Sequence, residues 1–208
     1  MASSDTFQVV RAERAALAED LDGLGDEQWR SPSLCGGWTV EDVVAHMTAT
    51  ATITPASFLP KLASSGFSFE KLQARGIAAA KGSSPAETLA RFKAQIGSTK
   101  HPPGPPQSWL GEVVVHSEDI RRALGIPHEY PESALAELAR FYQRSNLIIG
   151  GKRRVAGLRL QATDADFSAG SGPEVRGPLL ALVLATTGRS VALDELSGEG
   201  IATLRARR

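Results

Sequence analysis

The sequence predicts a mainly helical protein, in which a bundle of about 150 residues precedes a small α+β tail. Two observations predict this class. Before Gly151, helix start and stop signals frame amphipathic segments whose apolar residues recur at helical spacing. After Gly151 the period changes, because Leu158, Leu160 and Ala162 alternate with polar residues as they would in a strand. We therefore predict two domains, residues 1–151 and residues 152–208.

Capping signals and helix-breaking residues set the predicted helix boundaries. Thr39 is a candidate N-cap with Asp42 three residues later, a near relative of the capping box. Ser84, followed by a proline and by Glu87, marks another helix start, and Gly125 fits a C-terminal cap. The glycine- and proline-rich segments 22–37 and 101–106 are predicted loops. The predicted helices span about residues 6–21, 39–53, 84–96, 108–124 and 132–149, with short helices near 58–62 and 69–74.

The tail is predicted to mix strands with one helix. Alternation over residues 158–163 predicts a strand, and Phe167 fits a second, short strand. A compact helix begins after the Gly-Pro pair at 177–178 and ends at Gly188. Residues 201–205 fit a final strand.

Composition excludes several classes of protein. The 23 basic residues balance the 23 acidic ones, so the chain lacks the net positive charge that would attract nucleic acid or an anionic membrane surface. The longest apolar run, residues 179–185, is too short to cross a bilayer. The first residues include acidic side chains and lack the apolar stretch that a signal peptide requires. A single cysteine, Cys35, excludes an intramolecular disulfide and fits a reducing compartment. We expect a soluble, cytoplasmic protein.

The fourth long helix carries a pattern that could hold a metal ion. Glu112 and His116 are four residues apart, so they lie one turn apart on the same helix face. His46, beside the apolar stripe of the second helix, would complete a set of two imidazoles and one carboxylate, built as in other bundles from facing helices. Three protein ligands leave a coordination position open, as in catalytic zinc sites. The alternative is a Glu–His surface pair and a hydrogen-bonded core histidine.

Two separated motifs carry a family resemblance. Residues 34–46, LCGGWTVEDVVAH, and residues 111–122, GEVVVHSEDIRR, resemble signatures of the mycothiol-dependent maleylpyruvate isomerase family, within the DinB-like superfamily. The tail also resembles this family at residues 157–164, GLRLQATD, and 172–178, GPEVRGP. The resemblance spans most of the chain outside residues 56–83.

The resemblance implies a fold, a metal and a cofactor. The family fold is an up-down-down-up four-helix bundle followed by a small α/β domain related to sterol-carrier proteins. Its divalent metal, usually zinc, is held by residues that match His46, Glu112 and His116. The open position takes water or the thiol of mycothiol, the low-molecular-weight thiol of actinobacteria. An arginine of the C-terminal domain is proposed to serve the substrate in the isomerase; Arg176 is the candidate here, in a tail of about 57 residues that is short for the family.

Three further residues could contribute to such a site. Asp119 could orient a ligand histidine, or it could pair on the surface with a neighbouring arginine. Trp38 could line the pocket mouth and contact the cofactor, although a hydrophobic staple at the helix start is the simpler interpretation. Cys35 could approach the metal, but we interpret it as a small buried hydrophobe.

The sequence therefore predicts a metal- and mycothiol-dependent isomerase or S-transferase that acts on a small electrophile, as a monomer or homodimer. A bound dication favours deprotonation of a thiol ligand, which makes it a nucleophile. Two alternatives use the same residues: a non-catalytic metal- or ligand-binding sensor or scaffold, and a hydrolase that activates water. Two imidazoles and one carboxylate also suit iron, nickel or manganese.

Overall fold

The computed structural model describes residues 3–147 and 149–207, and the chain forms two compact units, Met1–His128 and Glu129–Arg208. The boundary between the units lies before the helix at residues 132–144, whereas the sequence pattern places the domain boundary after residue 151. Among the described residues, no helix combines the length and apolar character needed to cross a membrane.

The first unit is helical. Its described elements are α1 (Ser3–Asp22), α2 (Asp26–Arg30), α3 (Val40–Thr50), α4 (Pro55–Ser64), α5 (Phe69–Ala80), α6 (Pro85–Lys93) and α7 (Pro106–Leu124).

Four of these helices form the bundle that the sequence predicts. Helix α1 packs on α7 and α6, while α3 packs on α6 and α7, so the four helices enclose one core. Helix α5 also packs along α3. The core is apolar, as expected for helices that bury one face. Its fully buried side chains include Leu17, Leu21, Val43, Val44, Met47, Phe92, Leu110, Val113, Val114 and Ile120.

Caps explain most helix limits in this unit. Gly125 closes α7 in the left-handed conformation with φ 69°, which a glycine adopts without steric cost. Helix α3 ends at Thr50, earlier than predicted, because α4 begins at Pro55 with Thr54 as its own N-cap. The segment predicted as a loop before α3 contains the short helix α2, whose Trp29 is buried. One turn of helix is too short to show a periodic pattern.

The second unit combines helices with a three-stranded sheet. Its elements are α8 (Glu132–Arg144), α9 (Gly151–Arg154), β1 (Arg159–Ala162), β2 (Ser168–Gly170), β3 (Glu174–Gly177), α10 (Leu179–Thr186), a 3₁₀ helix (Ser190–Glu195) and α11 (Ile201–Ala206). The strand order is β2-β1-β3, with β1 antiparallel to β2 and parallel to β3. Helix α10 packs on α8 and on both β1 and β3.

One predicted element of the tail is wrong. Residues 201–205, expected as a strand, lie in helix α11. The strand position beside β1 is taken by β3, which the sequence analysis did not predict. Gly200, just before α11, donates its backbone N–H to Glu174 O at 2.8 Å, which ties the helix start to β3. Short segments of five or six residues carry too little periodicity to separate helix from strand.

Candidate metal centre

Helix α3 is positioned by its N-terminal cap. The Thr39 backbone N–H donates to Asp42 Oδ2 at 3.0 Å, and the Asp42 N–H donates back to Thr39 Oγ1 at 3.2 Å. This reciprocal pair is the capping box that the sequence predicts. Val43 and Met47 are buried on either side of His46, whose own side chain lies at the edge of the core, 12% exposed.

Helix α7 brings the other two candidate ligands to the same place. Val113 and Val114 anchor it in the core, while Glu112 and His116 project one turn apart from the neighbouring face. Their side chains are 15% and 16% exposed. Each candidate ligand is therefore held by a packed helix and retains some access to solvent.

The structure brings the three candidate side chains close together. One ligand atom each from His46, Glu112 and His116 lie within 4.8 Å of one another. His46 Nε2 is 4.0 Å from Glu112 Oε1, and the two imidazole rings meet edge to face with centroids 4.9 Å apart. This spacing leaves room for one cation between the donors.

The electrostatics of the cluster also suit a cation. Burial, with a smaller repulsion from His116, lowers the pKa of His46 to about 3, although Asp119 opposes this shift. His46 is thus a neutral imidazole, the form that binds metals. Burial raises the pKa of Glu112, partly opposed by His116, by Arg14 and by a hydrogen bond from Thr50.

Glu112 supplies the sharpest indication that a cation fits. Among the described residues its buried Oε1 has no hydrogen-bond partner. A buried carboxylate oxygen left without a partner is costly and calls for an explanation such as an ion. Two imidazoles and this oxygen are ligands that zinc prefers. The residues present therefore fit a divalent metal.

Asp119 contacts the candidate ligand His116 directly. Its side chain is fully buried, and His116 Nδ1 lies 2.9 Å from Asp119 Oδ2. Because a carboxylate oxygen only accepts hydrogen bonds, Nδ1 carries the proton and Nε2 is the nitrogen left for an ion. A carboxylate behind a ligand histidine in this way fixes its tautomer and ring orientation.

Cys35 is not the buried apolar residue that the sequence analysis suggested. The side chain is partly exposed, and its thiol donates to Asp119 Oδ2 at 2.9 Å. Leu34 N–H donates to the backbone oxygen of Asp119 at 3.0 Å, which holds the loop before α3 against α7. A contact between residues 84 positions apart leaves no signal in local spacing.

Trp38 lies beside both candidate histidines. Its ring centroid is 5.0 Å from that of His46 and 6.4 Å from that of His116. The other sequence candidate, Arg176, is an exposed residue of β3 in the second unit. Its backbone forms an antiparallel bridge with Ser197, which adds one paired residue at the edge of the sheet beside β3.

Arg14 is a buried residue of this region that the sequence analysis missed. It is 4% exposed on α1, and its Nη1 donates to the backbone oxygens of Gln95 and Ser98. Its charge opposes the rise in the pKa of Glu112 that burial causes. Its burial could have been predicted, since Val10, Arg14 and Leu17 lie on one helix face, where the arginine interrupts an apolar stripe.

Residues 10–102 match the family model described as the mycothiol maleylpyruvate isomerase N-terminal domain. The match includes His46 and ends before Glu112 and His116, which lie in the second motif. The predicted family resemblance is confirmed, with the first motif inside the match and the second outside it.

Two solved structures share the fold over nearly the whole chain. One is the crystal structure of an alanine mutant, at a histidine, of the mycothiol-dependent maleylpyruvate isomerase, with 18% identity and a TM-score of 0.66. The other is a crystal structure of the mycothiol-dependent maleylpyruvate isomerase, with 16% identity and a TM-score of 0.63. Each comparison covers 96% of this chain and 93% of the other. No curated protein matches the chain in sequence. The DinB-like fold predicted from the sequence is confirmed.

Proposed function

We propose that the first unit binds a divalent metal ion, preferably zinc, through His46, Glu112 and His116, and that the protein uses mycothiol to isomerise or conjugate a small electrophile. The observation that carries this proposal is the convergence of three donor atoms within 4.8 Å around a buried oxygen of Glu112 that has no partner among the described residues. The matched N-terminal domain family supports the choice of thiol.

The residues divide the work of such a site. An ion held there would lower the pKa of a thiol placed at its open position, which supplies a nucleophile at neutral pH. His46 keeps its nitrogen unprotonated, because its pKa is lowered to about 3. Asp119 holds the proton of His116 on Nδ1 and so presents Nε2 to the ligand cluster. Trp38 would form an apolar wall beside both imidazoles, since its ring centroid lies 5.0 Å from that of His46 and 6.4 Å from that of His116.

Two outcomes are open to a thiol that has attacked an electrophilic carbon. For an isomerase, addition to a conjugated double bond leaves a single bond; the adduct rotates about it and then expels the thiol. For an S-transferase, the conjugate leaves as product. Both reactions need the same nucleophile and the same open position, so one ligand set serves either one.

The test combines metal analysis with thiol binding in the wild type and the His46→Ala and His116→Ala variants. We expect stoichiometric metal and saturable mycothiol binding in the wild type, whereas each variant should lose at least one bound ion per chain together with mycothiol binding. The exposed pair Asp26–Arg30 offers a control, Asp26→Asn, that should change neither. Full mycothiol-dependent activity in a metal-free variant would contradict the proposal.

Activity assays separate this function from its alternatives. Turnover of a panel of electrophiles that depends on mycothiol supports the isomerase or transferase. Turnover without any thiol would favour a hydrolase, and tight binding of a small molecule without turnover would favour a sensor. A thiol-dependent enzyme suits the reducing cytoplasm, where we place this protein, as a monomer or homodimer that sedimentation velocity would distinguish.

A further inference from the structure

A second group of metal-binding side chains adjoins the first. One ligand atom each from Cys35, His116 and Asp119 lie within 4.8 Å of one another. Cys35 Sγ is 2.9 Å from Asp119 Oδ2 and 3.6 Å from His116 Nδ1, and the latter two atoms are 2.9 Å apart. The three donors come from two elements, the loop before α3 and helix α7.

We propose that Cys35, His116 and Asp119 form a second metal site, selective for thiophilic divalent ions such as zinc. The site would use Nδ1 of His116, whereas the set with His46 and Glu112 would use Nε2. The two ring nitrogens lie on different sides of the imidazole, so one histidine can serve both ions.

The distance between sulfur and nitrogen fits this assignment. Zinc binds sulfur at about 2.3 Å and imidazole nitrogen at about 2.0–2.1 Å, and a tetrahedral angle between them separates the two donors by about 3.5 Å. Cys35 Sγ and His116 Nδ1 are 3.6 Å apart. This pair of atoms is therefore already placed as two ligands of one ion.

Asp119 has to move only slightly to become the third ligand. A tetrahedral zinc ion separates its nitrogen and oxygen ligands by about 3.4 Å, whereas His116 Nδ1 and Asp119 Oδ2 are 2.9 Å apart. The difference is about half an ångström for this pair. Cys35 Sγ and Asp119 Oδ2 are 2.9 Å apart, about 0.7 Å less than the roughly 3.6 Å between a sulfur and an oxygen ligand of tetrahedral zinc, because an ion replaces the protons that now lie between these atoms. Binding releases the thiol proton of Cys35 and the Nδ1 proton of His116 to solvent, with no change of oxidation state.

The site is reachable and its loop can adjust. Cys35 is partly exposed, and the two residues after it, Gly36 and Gly37, are exposed glycines. A Cβ on Gly36 would meet no atom within 4 Å, so the loop is not confined on that side. Water can complete the coordination of an ion held by three protein ligands.

Cobalt titration tests the second site directly. Co²⁺ bound to a thiolate shows a sulfur-to-metal charge-transfer band in the near ultraviolet, and the titration is run on the metal-free full chain without added thiol. We expect two ions per chain and the charge-transfer band in the wild type. Cys35→Ser should lose the band and one of the two ions, while His46→Ala should lose one ion and keep the band.

The variants separate this inference from the proposed function. A wild-type protein without the thiolate band, or a band that survives in Cys35→Ser, would overturn the second site. Loss of the band in Cys35→Ser together with an unchanged ion count in His46→Ala would support the second site and contradict the first. A measurement without mutation gives an independent check: at alkaline pH, where a free thiol is already ionised, zinc should slow alkylation of Cys35 roughly tenfold or more, since a zinc-bound thiolate is less reactive than a free thiolate although more reactive than a neutral thiol. An unchanged rate contradicts the inference.

Discussion

His46 owes its protonation state to its position at the edge of a packed helix face. Burial is the larger cause that lowers its pKa to about 3, and the nearby His116 adds to it. In the unfolded chain the same imidazole has a pKa near 6.5. Between these two values the unfolded state binds a proton that the folded state does not, so acid favours unfolding of the metal-free protein.

This difference predicts a pH dependence of stability. In the presence of a chelator, the free energy of unfolding should fall by about 2 kcal/mol between about pH 7 and about pH 5 through His46 alone. The raised pKa of Glu112 acts in the opposite direction in acid, because its folded form gains a proton more readily. Urea unfolding of the wild type and of His46→Gln at both pH values isolates the histidine. An equal fall in both proteins would show that His46 is not held neutral.

Asp119 provides a second prediction at this scale. It accepts hydrogen bonds from both His116 and Cys35 through one oxygen. An asparagine has only one acceptor oxygen and adds two donors, so Asp119→Asn should misorient His116 and weaken metal affinity about 10–100-fold. Competition against a chromogenic chelator measures the affinity, and Asp26→Asn again serves as the exposed control. Unchanged metal affinity in Asp119→Asn would show that the hydrogen bond between Asp119 and His116 does not contribute to metal binding.

The sequence predicts individual site residues where spacing along a helix carries the information. Glu112 and His116 follow from their separation of four, and the structure brings His46 to them. The contact of Cys35 with Asp119 could not be predicted, because it joins a loop to a helix 84 residues away. It depends on the tertiary contacts of the loop with α7, which include the hydrogen bond from Leu34 N–H to the backbone oxygen of Asp119.

At the scale of elements, the capping box of α3 links sequence to the site. Thr39 and Asp42 exchange two hydrogen bonds at the start of the helix that carries His46. Thr39→Ala should destabilise the first unit by about 1 kcal/mol and lower the chelator concentration that removes the metal. Thr39→Ser, which keeps the hydroxyl, is the matched control. Chemical unfolding measures the loss of stability, and chelator titration measures the loss of metal. Equal behaviour of both variants would show that the hydroxyl of Thr39 does not stabilise the helix or the site.

Sequence reasoning at this scale succeeds where helices are long and capped. It predicts α1, α3, α6, α7 and α8 because each combines an apolar stripe with a start or stop signal. It fails for α2, β3 and α11, which have at most six residues each. Their conformations depend on tertiary contacts, such as the hydrogen bond of Gly200 to β3.

At the scale of the molecule, the partner of α8 decides where the units divide. The sequence places this helix in the bundle because the period changes to that of a strand only after Gly151. The structure packs it on α10, within the second unit. An apolar stripe states that a helix face is buried, but not against which neighbour, so the sequence pattern alone could not locate this boundary.

Two fragments test the division. Residues 1–128 contain every candidate metal ligand and the whole first unit, so this fragment should fold and bind metal as a monomer. Residues 1–151 add α8 without α10, which exposes the face formed by Leu135, Leu138 and Tyr142, buried in the full chain. Since exposed apolar patches of this kind promote association, sedimentation velocity should show the longer fragment self-associating. If the fragment 1–151 were instead a folded monomer while the fragment 1–128 were unfolded, α8 would belong to the helical bundle of the first unit.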